Sequence, residues 1–323
     1  MKNENDILLG NVHTDRELQK FVDLINLEAK HFVIKPNWFT FVEGLYTDAL
    51  TLDQFLKCIK GDIYIVEAYS WRRNDGSRLI TEYNYLDNKD WISDQDKKEL
   101  VQSGLAKVLE KHGVKYINTT EEVWKGDVIA NSTIRGLVEN RYGNERLQFP
   151  EFYMNVPRKI FELSQLPETI FINLSRVKTS NQSDGGFSLS LKNIFGLIPI
   201  PRRYKYHGDT LPQAIIDINK VYRSLFNIID ICEGIHTALQ WNPYGKYMHD
   251  LGNYDLLENS GFVSAGSNPT TLDLLVAKFF GMNIQSRTLI RLANEQLSPL
   301  DFTAVQELEK RVDNFKFFKN TRI

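Results

Sequence analysis

Short apolar runs rich in β-branched and aromatic residues recur along the chain, and segments with helical periodicity separate many of them. The strand-like runs occupy residues 31–35, 62–68, 114–118, 169–175, 227–231 and 261–266. Most are continuously apolar rather than alternating, which is typical of strands covered on both faces. The pattern therefore predicts strands buried between two layers of other elements.

Amphipathic segments predict the helices. Residues 15–30 carry Leu18, Phe21, Val22 and Ile25 at helical spacing. Further helices are predicted at residues 52–60, 93–112, 211–226, 269–280, 284–297 and 299–315. Strands that alternate with helices indicate an α/β fold with a mostly parallel, wound sheet and helices on both faces.

The length of the chain bounds its domain organisation. A chain of 323 residues is enough for one large α/β unit, and no linker-like, repeated or low-complexity segment divides it. We therefore predict a single unit over residues 1–323. A candidate boundary near residues 140–157 leaves a second arrangement open, in which two lobes, 1–145 and 146–323, flank a cleft.

Composition narrows the classes of partner and cofactor. The 39 basic and 41 acidic residues give a formal net charge of -2, which provides no overall attraction to nucleic acid or to anionic membranes. No run approaches the roughly 20 apolar residues of a membrane helix, and the N-terminus lacks a signal-peptide core. We expect a cytoplasmic protein with no nucleic-acid or membrane partner. Cys58 and Cys232 form no Cys-x-x-Cys pair, so we predict buried thiols and no iron–sulfur cluster.

Cations and amides cluster after the predicted strands, and wound sheets bind ligands outside these carboxyl ends. The segment FSLSLKNIFGLIP at residues 187–199 adds a Lys-Asn pair close to the fourth run. This arrangement predicts a pocket for a small anionic molecule that carries a carboxylate or a phosphate. The residues expected to hold it are Lys35, Asn37, Arg176, Ser180, Asn193, Ser267 and Asn268.

Lys178 and Lys192 are the strongest candidates for catalysis. A lysine at a strand end can clamp an anion, and a desolvated lysine can act as a base or form a Schiff base. His207, in the basic run PRRYKYHGD, can exchange a proton near neutral pH. Asp230 and Glu233 belong to the fifth run and its end; we expect Asp230 to pair with Lys178 or Lys192, and Asp230 or Glu233 to tune the charge of the lysines. The competing interpretation is that these lysines are surface cations or members of structural ion pairs.

Cofactor motifs are missing from the sequence. No G-x-G-x-x-G follows a strand and no G-x-x-x-x-G-K-S/T is present, so dinucleotide and P-loop nucleotide sites are not predicted. No His-x-His or His-Glu-x-x-His spacing supports a transition metal. We therefore predict no cofactor, although Asp230 and Glu233 leave a divalent metal site open.

Five elements of the chain, in order, resemble the domain of unknown function 362 family. They are the IKPN of residues 34–37, residues 172–179, the LKNIFG of residues 191–196, the IIDICEG of residues 228–234 and the GSNPTTLD of residues 266–273. The resemblance covers about residues 31–282 and implies a fold and a pocket, without a defined reaction. Ser180 stands where relatives carry a histidine, and Asn268 where they carry an aspartate.

These features are compatible with three functions. The first is an enzyme that acts on a small anionic metabolite by lysine and histidine acid–base chemistry. Its reaction would be of lyase or isomerase type, since such reactions need no redox cofactor. The second is a non-catalytic protein that binds an anionic ligand or serves in assembly. The third is a metal-dependent enzyme that uses the carboxylates.

Overall fold

The structure is a computed structural model, and it describes residues 7–74, 81, 83–143, 146–179, 187–249, 252–282, 284–285 and 287–312. The strands are β1 (Leu8–Asn11), β2 (His31–Lys35), β3 (Asp62–Glu67), β4 (Lys115–Asn118), β5 (Thr169–Arg176), β6 (Lys178–Thr179), β7 (Phe187–Ser188), β8 (Ile228–Gly234), β9 (Thr237–Trp241), β10 (Tyr247–His249), β11 (Gly252–Glu258) and β12 (Phe262–Gly266). The α-helices are α1 (Asp15–Ile25), α2 (Ala49–Lys57), α3 (Trp71–Asn74), α4 (Lys89–Gln102), α5 (Leu105–Lys111), α6 (Thr119–Trp124), α7 (Asn131–Tyr142), α8 (Arg158–Gln165), α9 (Ser190–Ile194), α10 (Leu211–Leu225), α11 (Pro269–Phe279), α12 (Thr288–Gln296) and α13 (Phe302–Val312). Short 3-10 helices are Tyr85–Asn88, Pro150–Tyr153, Phe195–Leu197, Tyr204–Tyr206 and Gly208–Thr210.

Seven of the described strands form a central sheet in the order β1-β12-β8-β5-β2-β3-β4. The five strands from β8 to β4 run parallel to one another, whereas β12 is antiparallel to both β8 and β1. The predicted α/β class and mostly parallel sheet are confirmed. Strand β2 pairs with β5, and β1 pairs with β12, so both halves of the chain share this sheet.

Apolar cores cover both faces of the sheet, because successive side chains of a strand point in opposite directions. On β2, Val33 packs in the core formed with α7, α8, α10 and α11. Phe32 and Ile34 pack in the core formed with α1, α2 and α5. Helices therefore lie on both faces, as the continuously apolar strands predict.

The direction of winding reverses between β2 and β5. From β2 the chain passes through α2, which belongs to the core of one face, and reaches β3. From β5 it passes through α10, which belongs to the opposite core, and reaches β8 on the other side. Crevices of α/β sheets open outside the carboxyl ends of strands at such a reversal. The fold therefore places a crevice beside Lys35 and the end of β5.

A smaller sheet follows the carboxyl ends of β5 and β8. Its order is β10-β11-β9-β6-β7, and β6 pairs with β9 in parallel through Lys178 and Leu239. Leu239 packs with Leu45 and Tyr254, so the loop after β2 is fixed against this sheet. Strands β6, β7 and β10 have only two or three residues and carry no readable periodicity, so the sequence does not predict them; the longer β9 and β11 were not predicted either.

Some helix boundaries differ from the sequence expectation for local reasons. Helix α1 ends at Ile25, because Asn26 takes a left-handed conformation with φ 56°. The helix predicted at residues 93–112 is divided into α4 and α5 at Gly104, which has φ 77°. Helices α7 and α8 were not predicted at all, since their sequences are mostly polar.

The two cysteines and the described helices can be compared with the predictions. Cys58 and Cys232 are free; Cys232 is fully buried, as predicted, whereas Cys58 at the end of α2 is only partly buried, which corrects the expectation for that thiol. In the part of the chain that the structure describes, no helix is both long enough and apolar enough to cross a membrane.

Candidate functional site

A cavity of about 190 Å³ lies at the reversal of winding, where β2 and β3 end and β6 begins. Its lining includes Lys35, Asn37, Lys178, Lys192, Asn193 and His207, six of the residues predicted for the site. The other lining residues are Trp38, Phe39, Leu45, Glu67, Ser70, Trp71, Arg72, Thr179, Phe195, Gly196, Pro201, Arg203 and Tyr204. Among the described lining residues, Glu67 is the one carboxylate, whereas lysines and arginines are frequent.

Lys35 is a buried cation that pairs with Glu67 at the inner wall of the cavity. Its Nζ donates to Glu67 Oε2 at 2.8 Å and to the Pro36 carbonyl oxygen at 2.7 Å. Burial lowers the pKa of Lys35, and the Glu67 carboxylate opposes that shift. A Cβ at position 196 would lie 2.9 Å from this Nζ, so a side chain there would force the Lys35 amine to shift.

Lys178 is a second buried amine in the same cavity, with neutral acceptors around it. Its Nζ donates to Asn37 Oδ1 at 2.8 Å and to the Leu45 carbonyl oxygen at 3.0 Å. The same atom lies 5.4 Å from the centre of the Phe39 ring, a cation–π distance. Lys178 is thus held by dipoles and a ring, whereas Lys35 is held by a full negative charge.

The pKa of Lys178 follows from these surroundings. Burial lowers it to about 7, and the positive charges of Lys192, Lys35 and Arg176 act in the same direction. Glu67 raises the pKa but has the smallest effect of these groups. Near neutral pH the amine therefore exists in both charged and neutral forms, as proton transfer requires.

A chain of side-chain amides connects Lys178 to the interior of the sheet. Asn37 accepts from Lys178 and donates through Nδ2 to Asn193 Oδ1 at 2.9 Å. Asn193 Nδ2 donates to Asn173 Oδ1 at 2.8 Å, and Asn173 Nδ2 donates to Asp230 Oδ1 at 2.7 Å. We call Asn37, Asn193 and Asn173 the amide relay. An ionised carboxylate only accepts, so Asp230 fixes the direction of each amide, and Asn37 presents its oxygen to Lys178.

Arg223 holds Asp230 at the far end of the amide relay. Its Nη2 donates to Asp230 Oδ1 at 2.9 Å and to Oδ2 at 2.8 Å, and both side chains are buried. Burial raises the pKa of Asp230, while Arg223 opposes the shift. The expected direct pairing of Asp230 with Lys178 or Lys192 is therefore corrected. Arg223 is the ionic partner, because the side chain of Asp230 points to α10.

Aromatic side chains surround the mouth of the cavity. The Arg72 guanidinium lies 4.6 Å from the centre of the Trp71 ring and 5.3 Å from that of Phe39. Tyr204 packs 5.9 Å from Trp71, and His207 packs 6.4 Å from Tyr204. Tyr204 and His207 are exposed, whereas Lys35 and Lys178 are buried, so the rings mark the solvent side of the site.

Arg203 joins the segment after β3 to the segment after α9. Its Nη2 donates to the carbonyl oxygens of Tyr69 at 2.8 Å and Gly196 at 2.9 Å, and its Nε to that of Ile198 at 3.0 Å. Burial lowers the pKa of Arg203 to about 10. The guanidinium is therefore a fixed positive charge that also shapes the wall.

Arg176 and Glu233 form a buried ion pair that the lining of the cavity does not include. Arg176 Nη1 donates to the two Glu233 oxygens at 3.1 and 2.9 Å. Burial raises the pKa of Glu233 to about 7, against the effect of Arg176. From the sequence we predicted that Arg176 and Lys178 line the same pocket. However, β5 ends at Arg176 and β6 of the smaller sheet begins at Lys178, so the two side chains do not lie on the same face of one strand.

The predicted anion site at the start of α11 is occupied by the helix's own cap. Asn268 Oδ1 accepts from the Thr271 backbone N–H at 3.1 Å, and its Nδ2 donates to the Pro299 carbonyl oxygen at 2.7 Å. The described lining of the cavity contains neither Ser267 nor Asn268. Ser180 lies outside the described residues.

Asp273 of α11 positions the helix that carries Lys192 and Asn193. Its carboxylate accepts from the backbone N–H groups of Ser190 at 3.0 Å and Leu191 at 3.1 Å, and from the Ser190 hydroxyl. Burial raises the pKa of Asp273 to about 7. Asp273 therefore caps α9 from a neighbouring helix.

The elements that build the cavity coincide with a known family. A family model described as a domain of unknown function (DUF362) matches residues 33–278, from β2 to α11. The chain belongs to the DUF362 family. No curated protein and no solved structure matches the chain.

The whole described lining, from Lys35 to His207, falls within the DUF362 match. Two of the family motifs supply lining residues of the cavity: IKPN contains Lys35 and Asn37, and LKNIFG contains Lys192, Asn193 and Gly196. The sequence prediction did not assign the lining residues Glu67, Trp71 and Arg72 to the site, whereas Arg203 and Tyr204 belong to the basic run that it placed over an anionic ligand. One signal could have identified Glu67 and Arg72 as site residues, because they lie at the end of a predicted strand or shortly after it.

Proposed function

We propose that the chain is a cytoplasmic enzyme that binds a small carboxylate- or phosphate-bearing metabolite in this cavity and transfers a proton through Lys178. The two free thiols fit a reducing compartment. The observation that carries the proposal is the meeting of Lys35, Lys178 and Lys192 with arginines around one cavity at the reversal of winding. Like charges are placed together at an energetic cost, and an anionic ligand removes that cost.

The two buried lysines suit different tasks. Lys35 is paired with Glu67 and remains a cation that can hold an anionic group. Lys178 has a pKa of about 7, so it can accept and return a proton at neutral pH. A reaction of lyase or isomerase type fits this equipment, because such a reaction needs an anion clamp and a proton carrier. His207 at the mouth is the candidate for a second proton transfer.

Sulfate binding at about pH 6 tests the proposal, since sulfate imitates the charge of a phosphate. We expect Lys178→Met and Lys192→Met each to weaken sulfate binding about tenfold or more, because each removes a charge-assisted hydrogen bond donor. The binding can be followed by calorimetry or by the fluorescence of Trp71 and Trp38, which line the cavity.

Lys246→Met is the matched control, because Lys246 is an exposed lysine outside the cavity lining. It should leave the affinity for sulfate unchanged. Equal losses in all three variants, or no loss in the two cavity variants, would show that sulfate binds elsewhere and would contradict the proposal.

A further inference from the structure

Lys178 combines burial, access to the cavity and a hydrogen-bond arrangement suited to a nucleophile. We propose that Lys178 takes a carbonyl group of the ligand as a covalent imine, so that the ligand is an aldehyde or ketone that also carries a carboxylate or phosphate. This inference rests on the anion site proposed above, because the anionic group of the ligand brings the carbonyl to the amine.

The hydrogen bonds of Nζ carry the first step. A neutral amine has two N–H donors and one lone pair, whereas an ammonium has three donors and no lone pair. The two acceptors of Lys178, Asn37 Oδ1 and the Leu45 carbonyl, match the two donors of the neutral amine. With both N–H groups so engaged, the lone pair remains for attack on a carbon in the cavity.

Comparison with Lys35 supports the assignment of Lys178 as the nucleophile. Both amines are buried and both line the same cavity. Lys35 donates to the Glu67 carboxylate, which favours its charged form, whereas the two acceptors of Lys178 among the described residues are neutral oxygens. Neighbouring cations, Lys192 and Arg176 among them, favour the neutral form of Lys178, and Glu67 opposes them weakly. A lysine desolvated beside other cations is an activated nucleophile.

The amide relay keeps this arrangement in place. If Asn37 turned by half a rotation, its amide nitrogen would face Lys178 and donate to the lone pair of the amine, which would then not be free for attack. Asp230 and the backbone carbonyls of Ser190 and Lys35 prevent that rotation, because they accept from the amide nitrogens of Asn173 and Asn193 and so leave the Asn193 oxygen facing Asn37. Asn37 is therefore a positioning residue for Lys178. An aspartate in its place would carry a full negative charge and favour the ammonium form of Lys178, whereas asparagine does not.

The covalent step is balanced without a further reactant. The nitrogen of Lys178 forms a bond to the carbonyl carbon, and the carbonyl oxygen leaves as water with the two amine protons. Protonation of the imine nitrogen then makes the adjacent carbon an acceptor of electrons. Cleavage of a neighbouring C–H or C–C bond becomes easier, which is the step that lyases and isomerases of this type require.

Borohydride trapping with glyoxylate or pyruvate tests the inference. We expect reduction to leave one adduct on the peptide that contains Lys178, with at least tenfold higher occupancy than on Lys35 or the exposed Lys246. Excess sulfate should suppress the adduct at Lys178 and leave surface labelling unchanged. Lys178→Arg should remove the cavity adduct.

Asn37→Asp gives a readout that a purely structural role would not produce. A carboxylate at this position favours the charged amine, so trapping at about pH 7.5 should fall at least tenfold and recover at higher pH. An unshifted pH profile in this variant would contradict the role of Asn37.

The outcomes separate this inference from the proposed function. If sulfate binds in the cavity but Lys178 forms no more adduct than Lys246, the imine is overturned and the anion site stands. If sulfate does not bind in the cavity, the proposed function itself is contradicted.

Discussion

Replacing Arg223 by methionine is expected to lower the free energy of unfolding by about 3–5 kcal/mol. The reason is that Asp230 is buried, and Arg223 Nη2 donates to both of its carboxylate oxygens. Among the described residues, removal of the guanidinium leaves the buried carboxylate with the side-chain amide of Asn173 as its remaining hydrogen-bond donor. Urea denaturation followed by circular dichroism measures the change.

Two variants control this prediction. Arg291→Met removes an exposed arginine that pairs with Glu295 one helical turn away, and we expect a loss below about 0.5 kcal/mol. Arg223→Met combined with Asp230→Asn should recover part of the lost stability, because the double variant buries no unpaired charge. A loss from Arg223→Met as small as that of Arg291→Met would show that the pair is not the anchor of the amide relay.

Sulfate affinity is expected to fall about ten- to hundredfold as the pH rises through about 7, which corresponds to the loss of one charge-assisted hydrogen bond of about 1.5–3 kcal/mol. Below this pH, Lys178 carries a proton and a positive charge; above it, the amine is neutral. Sulfate keeps its charge over this range, so the change must come from the protein. Burial is the main cause of this midpoint; the positive charges of Lys192, Lys35 and Arg176 lower the pKa further, and Glu67 opposes them weakly.

Lys178→Arg separates Lys178 from the other groups that titrate in this range, such as Glu233 and Asp273, whose pKa values burial raises to about 7. Arginine stays charged at all these pH values, so the variant should bind sulfate with little dependence on pH. His207→Gln tests the histidine at the mouth, and we expect it to retain most of the pH dependence. A flat profile in the unaltered protein, or a profile that only His207→Gln removes, would contradict the role of Lys178.

The architecture could be predicted from sequence because its signals are local. Continuous apolar strands and amphipathic helices identify the α/β class and the two covered faces. The same reasoning located Lys35, Asn37, Lys178, Lys192 and Asn193, since each follows a strand or begins a helix near the crevice. Polar residues after parallel strands meet at one edge, and no knowledge of strand order is needed for that conclusion.

Pairing between distant side chains could not be predicted in this way. Glu233 and Asp230 are in one strand, yet each is bound by its own arginine, from β5 and α10 respectively. Which arginine reaches which carboxylate depends on register and on the face to which each side chain points. The amide relay has no sequence signal either, because asparagines at positions 37, 173 and 193 are brought together only by the fold.

Anomalous X-ray diffraction from crystals soaked in selenate tests the central claim most directly, because it locates the anion without knowledge of the substrate. We expect one selenate inside the cavity, within hydrogen-bond distance of Lys178 Nζ, in crystals kept at about pH 6. The same site should lose occupancy in Lys178→Met crystals. Selenate bound only on the outer surface, with solvent alone in the cavity, would contradict an anion site at this reversal of winding.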